Sequence, residues 1–115
     1  STFAFSDGKT VVPMTNACDY KRVFDGDKGL NTGGMGSYSP PYFYTPELGE
    51  AILSKIMQPA VRAMDKEKRP YRGVLYGGLM ITPEGPKTIE FNARFGDTFP
   101  EARTMFTYIV ENCCG

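Results

Sequence analysis

The chain has 115 residues, 41% of them hydrophobic, which suits one small domain. Thirteen basic residues balance thirteen acidic ones, and a neutral chain argues against nucleic acid as a partner, whose binders carry a basic surplus. Histidine is absent and the three cysteines, Cys18, Cys113 and Cys114, show no CxxC spacing. That excludes a Ser-His-Asp or Cys-His nucleophile within this chain and leaves a zinc site almost without ligands. No apolar run reaches membrane-spanning length and no signal peptide is visible, so a cytoplasmic protein with reduced cysteines is expected.

In chain order, "FAFSDGKTVV" predicts two short strands around the turn dipeptide Asp7-Gly8, with Pro13 ending the second. The chain opens inside the first strand with no lead-in, which suggests a piece of something longer. From Asn16 to about Tyr44 no period is sustained, and an irregular stretch this long is usually functional or disordered. Thr45-Pro46-Glu47 then marks a helix start: a capping hydroxyl, proline in the first turn and an acid at the positive dipole end. Leu48, Ile52, Leu53, Ile56 and Met57 form its apolar stripe, which Val61 and Met64 extend past a kink or interruption at Pro59. "YRGVLYGGLMIT", the turn "PEGPK" and "TIEFNARF" predict a β-hairpin, whose paired Gly77 and Gly78 suggest close approach of another backbone or a ligand. A last helix is expected from Pro100 to about Asn112, with Ala102, Phe106, Ile109 and Val110 inward. No repeat or low-complexity tract is present.

Three stretches carry candidate chemistry. In "IEFNARFGD", side chains two apart share a strand face, so Glu90, Asn92 and Arg94 point one way and Ile89, Phe91 and Ala93 the other. A carboxylate and an amide suit a hard cation such as Mg²⁺, which takes one or two protein ligands and fills its shell with water and phosphate. Arg94 on the same face suits a phosphoryl oxygen. An ordinary solvent-facing strand surface explains the same spacing. "NTGGMG", Asn31 to Gly36, is either a glycine loop whose amides approach an anion or a tight turn, and it matches neither the Walker A nor the dinucleotide pattern. "DYKRVFDGDKG" places Lys21 and Arg22 where phosphates are within reach and Asp19 where an ammonium group is, or else it is a solvated loop of mixed charge. Nothing near Cys113-Cys114 would activate a thiol.

Taken together, "SDGKTVVPM", "DYKRVFDGDKGLNTGGMGSYSP" and "RPYRGVLYGGLMITPEGPKTIEFNARFGD" resemble the phosphoribosylamine–glycine ligase family of ATP-grasp enzymes. The resemblance is strong over residues 1–97 and weak over 98–115, and it implies that residues 1–115 are the second, C-terminal half of an ATP-grasp domain. The implied fold is α+β, an antiparallel sheet with a long helix packed on it. The implied reaction joins glycine to 5-phosphoribosylamine in purine biosynthesis, through a glycyl phosphate, with ATP going to ADP and phosphate. By the same resemblance Glu90 and Asn92 are ligands of Mg²⁺ or Mn²⁺, and Arg94 is catalytic, facing the transferred phosphoryl. Asp19, Lys21, Arg22, Asn31, Thr32, Gly33, Gly34, Gly36 and Asp97 line the phosphates and acceptor.

The chain departs from the family at "CDYKR", where the family has "QDHKR", at Leu30 for proline, and at "FGDTFPE" for "FGDPE", which puts any role of Glu101 in doubt. The first half of the ATP-grasp domain and the domain that binds the phosphoribosyl substrate are not in this sequence, so the chain alone is expected to be inactive. Two other readings compete: a different ATP-grasp carboxylate–amine ligase, and a non-catalytic interaction module that keeps the fold.

Overall fold

The structure is a computed structural model that describes residues 1–95. The expected helix from Pro100, Glu101, the paired cysteines and Asp97 lie outside the described residues.

A four-stranded antiparallel sheet carries one long helical run, the α+β arrangement that the sequence implies. Strands β1 (Thr2–Asp7) and β2 (Val11–Pro13) form the expected hairpin, with Phe5 opposite Val12. Gly8 takes the positive φ of 101° that the turn requires, and the Asp7 carboxylate accepts from the amides of Lys9 and Thr10 at 2.8 and 2.6 Å. Four short strands follow: β3 (Cys18–Asp19), β4 (Arg22–Phe24), β5 (Lys28–Asn31) and β6 (Ser37–Tyr38). They pair as β3 with β6 and β4 with β5, a two-tier flap. The stretch without a period is therefore not structureless. Its strands are too short and too exposed to write an alternation into the sequence.

The helical run is α1 (Pro46–Ile52), a π-helical turn over Leu53–Met57, and α2 (Gln58–Lys66). Thr45 caps it, its hydroxyl accepting from the Leu48 amide at 3.2 Å. Helical structure continues through Pro59, but the α-helical pattern is interrupted just before it, as the expected kink or interruption there predicts. The wider turn just before it relieves the missing N–H and the ring's crowding of the preceding carbonyl, with the Gln58 amide reaching back five residues to the Leu53 oxygen.

The long strands β7 (Arg72–Thr82) and β8 (Gly85–Arg94) form the second hairpin, and the sheet order is β2-β1-β7-β8. Cross-strand partners share a face, so the register separates two faces. On one lie Thr2, Ala4, Leu75 and Gly77, against which Ile52, Ile56, Met57 and Val61 pack to make the core. Met64, expected in the stripe, is 40% exposed. The apolar side of β8 also faces this way, but the helix does not reach its far end: Phe91 is 42% and Ile89 64% exposed. The opposite face carries Phe3, Val74, Tyr76, Glu90, Asn92 and Arg94.

Candidate functional site: one face of the hairpin β7–β8

A β-bulge decides what meets what on this face. From the turn, Thr82 pairs with Gly85 and Leu79 with Thr88, but Gly78 pairs with Glu90, which leaves Ile89 as the extra residue. Beyond the bulge Tyr76 lies opposite Asn92, and Val74 opposite Arg94. Without that one residue Tyr76 would face Phe91, and its ring would share a face with the apolar row.

Glu90 and Arg94 are exposed and Asn92 half-buried, spaced about 7 Å apart in sequence order by the strand rise. Among the described residues neither Glu90 nor Asn92 has a side-chain hydrogen bond or ion pair. Arg94 also lacks a carboxylate partner there. Its guanidinium carbon instead sits 5.0 Å from the centre of the Tyr76 ring. Tyr76 in turn packs against Phe3 at 5.2 Å between ring centres, and its hydroxyl lies 3.4 Å from the Ser1 hydroxyl.

Within the chain itself, the paired glycines are approached by side chains. A Cβ on Gly77 would stand 2.9 Å from Thr2 Cγ2 and 3.3 Å from Met57 Sδ; on Gly78 it would stand 3.0 Å from Glu90 Cγ and 3.3 Å from the Tyr76 hydroxyl. The close approach is by side chains of this fold. Gly77 admits the helix, and Gly78 leaves room for Glu90 and Tyr76.

The flap residues divide into two groups. At its base Lys21 donates to the Asp19 carboxylate at 3.0 Å, and that bond holds the ammonium's pKa above the usual lysine range. Across the base, Cys18 faces Tyr38, whose phenol is pushed up to about 12, chiefly by hydrogen bonding to that thiol. Tyr38 is stacked on Tyr42 and tilted against Tyr20, so rings hold the flap's root.

The tip is solvent-facing. Arg22 Nη1 donates to the Gly29 carbonyl at 3.1 Å. Asn31 Oδ1 accepts from the Gly33 amide at 3.0 Å, and the Thr32 hydroxyl accepts from the Gly34 amide at 3.3 Å while donating to the Tyr20 carbonyl. The Thr32 amide is bonded to the Lys21 carbonyl at 3.1 Å, and the Gly36 carbonyl accepts from Tyr20 at 2.9 Å. In this geometry "NTGGMG" is a side-chain-braced turn, with Gly33 and Gly34 at positive φ of 66° and 81° and three of its amides already bonded within the flap.

Residues 1–102 match the model of the phosphoribosylglycinamide synthetase ATP-grasp (A) domain. The chain belongs to that family. It is 54% identical over 106 residues to a phosphoribosylamine–glycine ligase of Halalkalibacterium halodurans, an alignment covering 91% of this chain and 24% of that protein. A ligase of the same name from Caulobacter vibrioides is 53% identical over 105 residues, again 91% of this chain and 24% of the relative. Among solved structures, the crystal structure of a phosphoribosylamine–glycine ligase from Thermotoga maritima superposes with a TM-score of 0.69 at 38% identity, covering 88% of this chain and 25% of that one. The chain thus spans about a quarter of the length of the relatives it matches.

Sequence reasoning anticipated the row Glu90, Asn92, Arg94 but not Tyr76 or Phe3, the rings beneath it. Strand parity in β7 was an available signal, though the bulge at Ile89 inverts the pairing that counting from the turn would give.

Among the described residues no three His, Cys, Asp or Glu side chains gather to hold a metal by themselves, and no helix is long and apolar enough to cross a membrane. One unengaged carboxylate and one amide on an open strand fit a cation that keeps most of its shell as water and phosphate, Mg²⁺ or Mn²⁺.

Proposed function

We propose that this chain is the second half of the ATP-grasp module of a cytoplasmic ligase that joins glycine to 5-phosphoribosylamine in purine biosynthesis. The observation that carries the reading is the face of β8, where Glu90, Asn92 and Arg94 stand in a row without carboxylate or lysine partners among the described residues, in a chain of this family. Glu90 and Asn92 would hold Mg²⁺ or Mn²⁺, which when bound supplies charge against the ATP phosphates. Arg94 directs its fork at the phosphoryl being transferred, stabilising the charge spread over its oxygens. A glycine carboxylate oxygen bonds to the γ-phosphorus as the bond to ADP breaks. The amine of phosphoribosylamine then attacks the glycyl carbonyl carbon, phosphate leaves, and the amine loses a proton. Asp19 and Lys21, and the turn Asn31–Gly36 with Arg22, form the flap that borders the phosphates and acceptor. The remaining wall, with the rest of the nucleotide pocket, belongs to parts of the parent protein beyond this chain.

The test uses the full-length enzyme carrying this segment. ADP release should require Mg²⁺, glycine and phosphoribosylamine together, and Glu90→Ala should abolish it. Undiminished turnover in Glu90→Ala removes the metal-ligand assignment. Release of ADP with another carboxylate and amine, but not these, moves the protein to a different ligase.

A further inference from the structure

We propose that Tyr76 is a positioning residue that presents Arg94 to the phosphoryl group, an inference that rests on the role given to Arg94 above. The guanidinium lies over the phenol ring at 5.0 Å, and no carboxylate among the described residues competes for it. A carboxylate in that place would hold the arginine by taking two of its N–H donors and cancelling its charge. A ring face holds it through the π quadrupole and leaves the planar fork and the full charge available to an incoming anion. The ring is itself fixed from two sides. Phe3 packs against it at 5.2 Å, and the Ser1 hydroxyl is 3.4 Å from its own. It sits directly opposite Asn92, so one pair of strands sets both the amide and the ring that orients the arginine two residues on.

The function of the ring is separable from that of the hydroxyl. Tyr76→Phe keeps the π face, whereas Tyr76→Leu removes it at similar bulk. In the full-length enzyme Tyr76→Leu should lower kcat about 2- to 5-fold with the KM for glycine unchanged, the factor that an exposed cation–π interaction is worth when it acts in the transition state. Tyr76→Phe should keep wild-type kcat. The deciding measurement is the cycle with Arg94→Ala: in that background Tyr76→Leu should cost nothing more, because the group it positions is gone. An equal loss from Tyr76→Leu in both backgrounds, or as great a loss in Tyr76→Phe, overturns the proposal. If the wild type releases no ADP with glycine and phosphoribosylamine, the proposed function falls, and the same cycle read on the dissociation constant of Mg·ATP decides the pairing of Tyr76 with Arg94. Should Tyr76→Leu fold poorly, the upfield ring-current shift of the Arg94 side-chain protons decides instead: its presence in wild type and Tyr76→Phe supports the pairing, and its absence in both overturns it.

Discussion

Gly77→Ala and Gly78→Ala place one methyl each on opposite faces of the same strand, and the structure predicts opposite consequences. At Gly77 the new Cβ stands 2.9 Å from Thr2 Cγ2 and 3.3 Å from Met57 Sδ. Thr2 is 4% exposed and held in register opposite Gly77, so it has nowhere to retreat, and Met57 is fully buried on the sheet-facing side of the helical run. Overfilling a packed core costs about 1–3 kcal/mol. Alanine returns about 0.5–1 kcal/mol by restricting the unfolded chain, which leaves a net loss of about 0–2.5 kcal/mol, centred on about 1 kcal/mol. At Gly78 the neighbours are Glu90 Cγ at 3.0 Å and the Tyr76 hydroxyl at 3.3 Å, the ends of side chains on the open face. A shift of a few tenths of an ångström at these side-chain ends accommodates the methyl, so stability should change by less than about 0.5 kcal/mol.

Urea denaturation followed by circular dichroism reads the difference. With a slope of roughly 1–1.5 kcal/mol per molar for a chain of this size, Gly77→Ala should lower the midpoint by about 1 M while Gly78→Ala leaves it in place. In the full-length enzyme the order should reverse. Gly78→Ala displaces Glu90 and Tyr76 and should lower kcat, and Gly77→Ala should spare it at low temperature. A Gly78→Ala chain that unfolds at lower urea than Gly77→Ala would refute the assignment of faces, and with it the bulge at Ile89.

Thr45→Ala should destabilise the helical run by about 1 kcal/mol, read as a lower urea midpoint, because the Leu48 amide loses its acceptor. Asp7 supplies a pH dependence. The amides of Thr10, foremost, and Lys9 hold its carboxyl below the usual carboxylate range. Its stabilisation is thus complete above the unfolded value, near pH 4, and is lost as pH falls through the lower folded value. Asp7→Asn, which keeps an acceptor oxygen, should flatten the acid limb of stability in denaturation titrations between about pH 2 and pH 6.

The sequence made legible those features whose causes are local. Asp7-Gly8 wrote its own turn, Thr45-Pro46 its own cap, and the alternation in β8 put Glu90, Asn92 and Arg94 on one side. What escaped depends on partners far along the chain. The ring under Arg94 comes from the neighbouring strand and from β1, and an unpaired Ile89 sets their register. The flap escaped for another reason: strands of two to four residues, exposed and braced by Asn31 and Thr32, leave no alternation to find. Pro59 signalled an interruption, but not its form: a π turn, invisible in the pattern, absorbs what an α-helix would not.

The openness of the β8 face bears on what this chain does by itself. Glu90 and Arg94 are exposed, so a phosphoryl oxygen about 4 Å from the Arg94 charge would feel roughly 1 kcal/mol of attraction in bulk water and about 4 kcal/mol once covered by protein. The difference, about 3 kcal/mol, is near the factor by which one well-placed donor speeds a transferring group. Exposure also admits water, which competes with phosphoribosylamine for the glycyl phosphate. Both effects require a second wall. The 115-residue chain on its own should therefore show no Mg²⁺-dependent release of ADP with glycine and phosphoribosylamine, under conditions where the full-length enzyme does. Adding the missing half of the module in trans should restore part of that activity. Turnover by the short chain alone would mean that its open face suffices, and would refute the argument from dielectric and water exclusion.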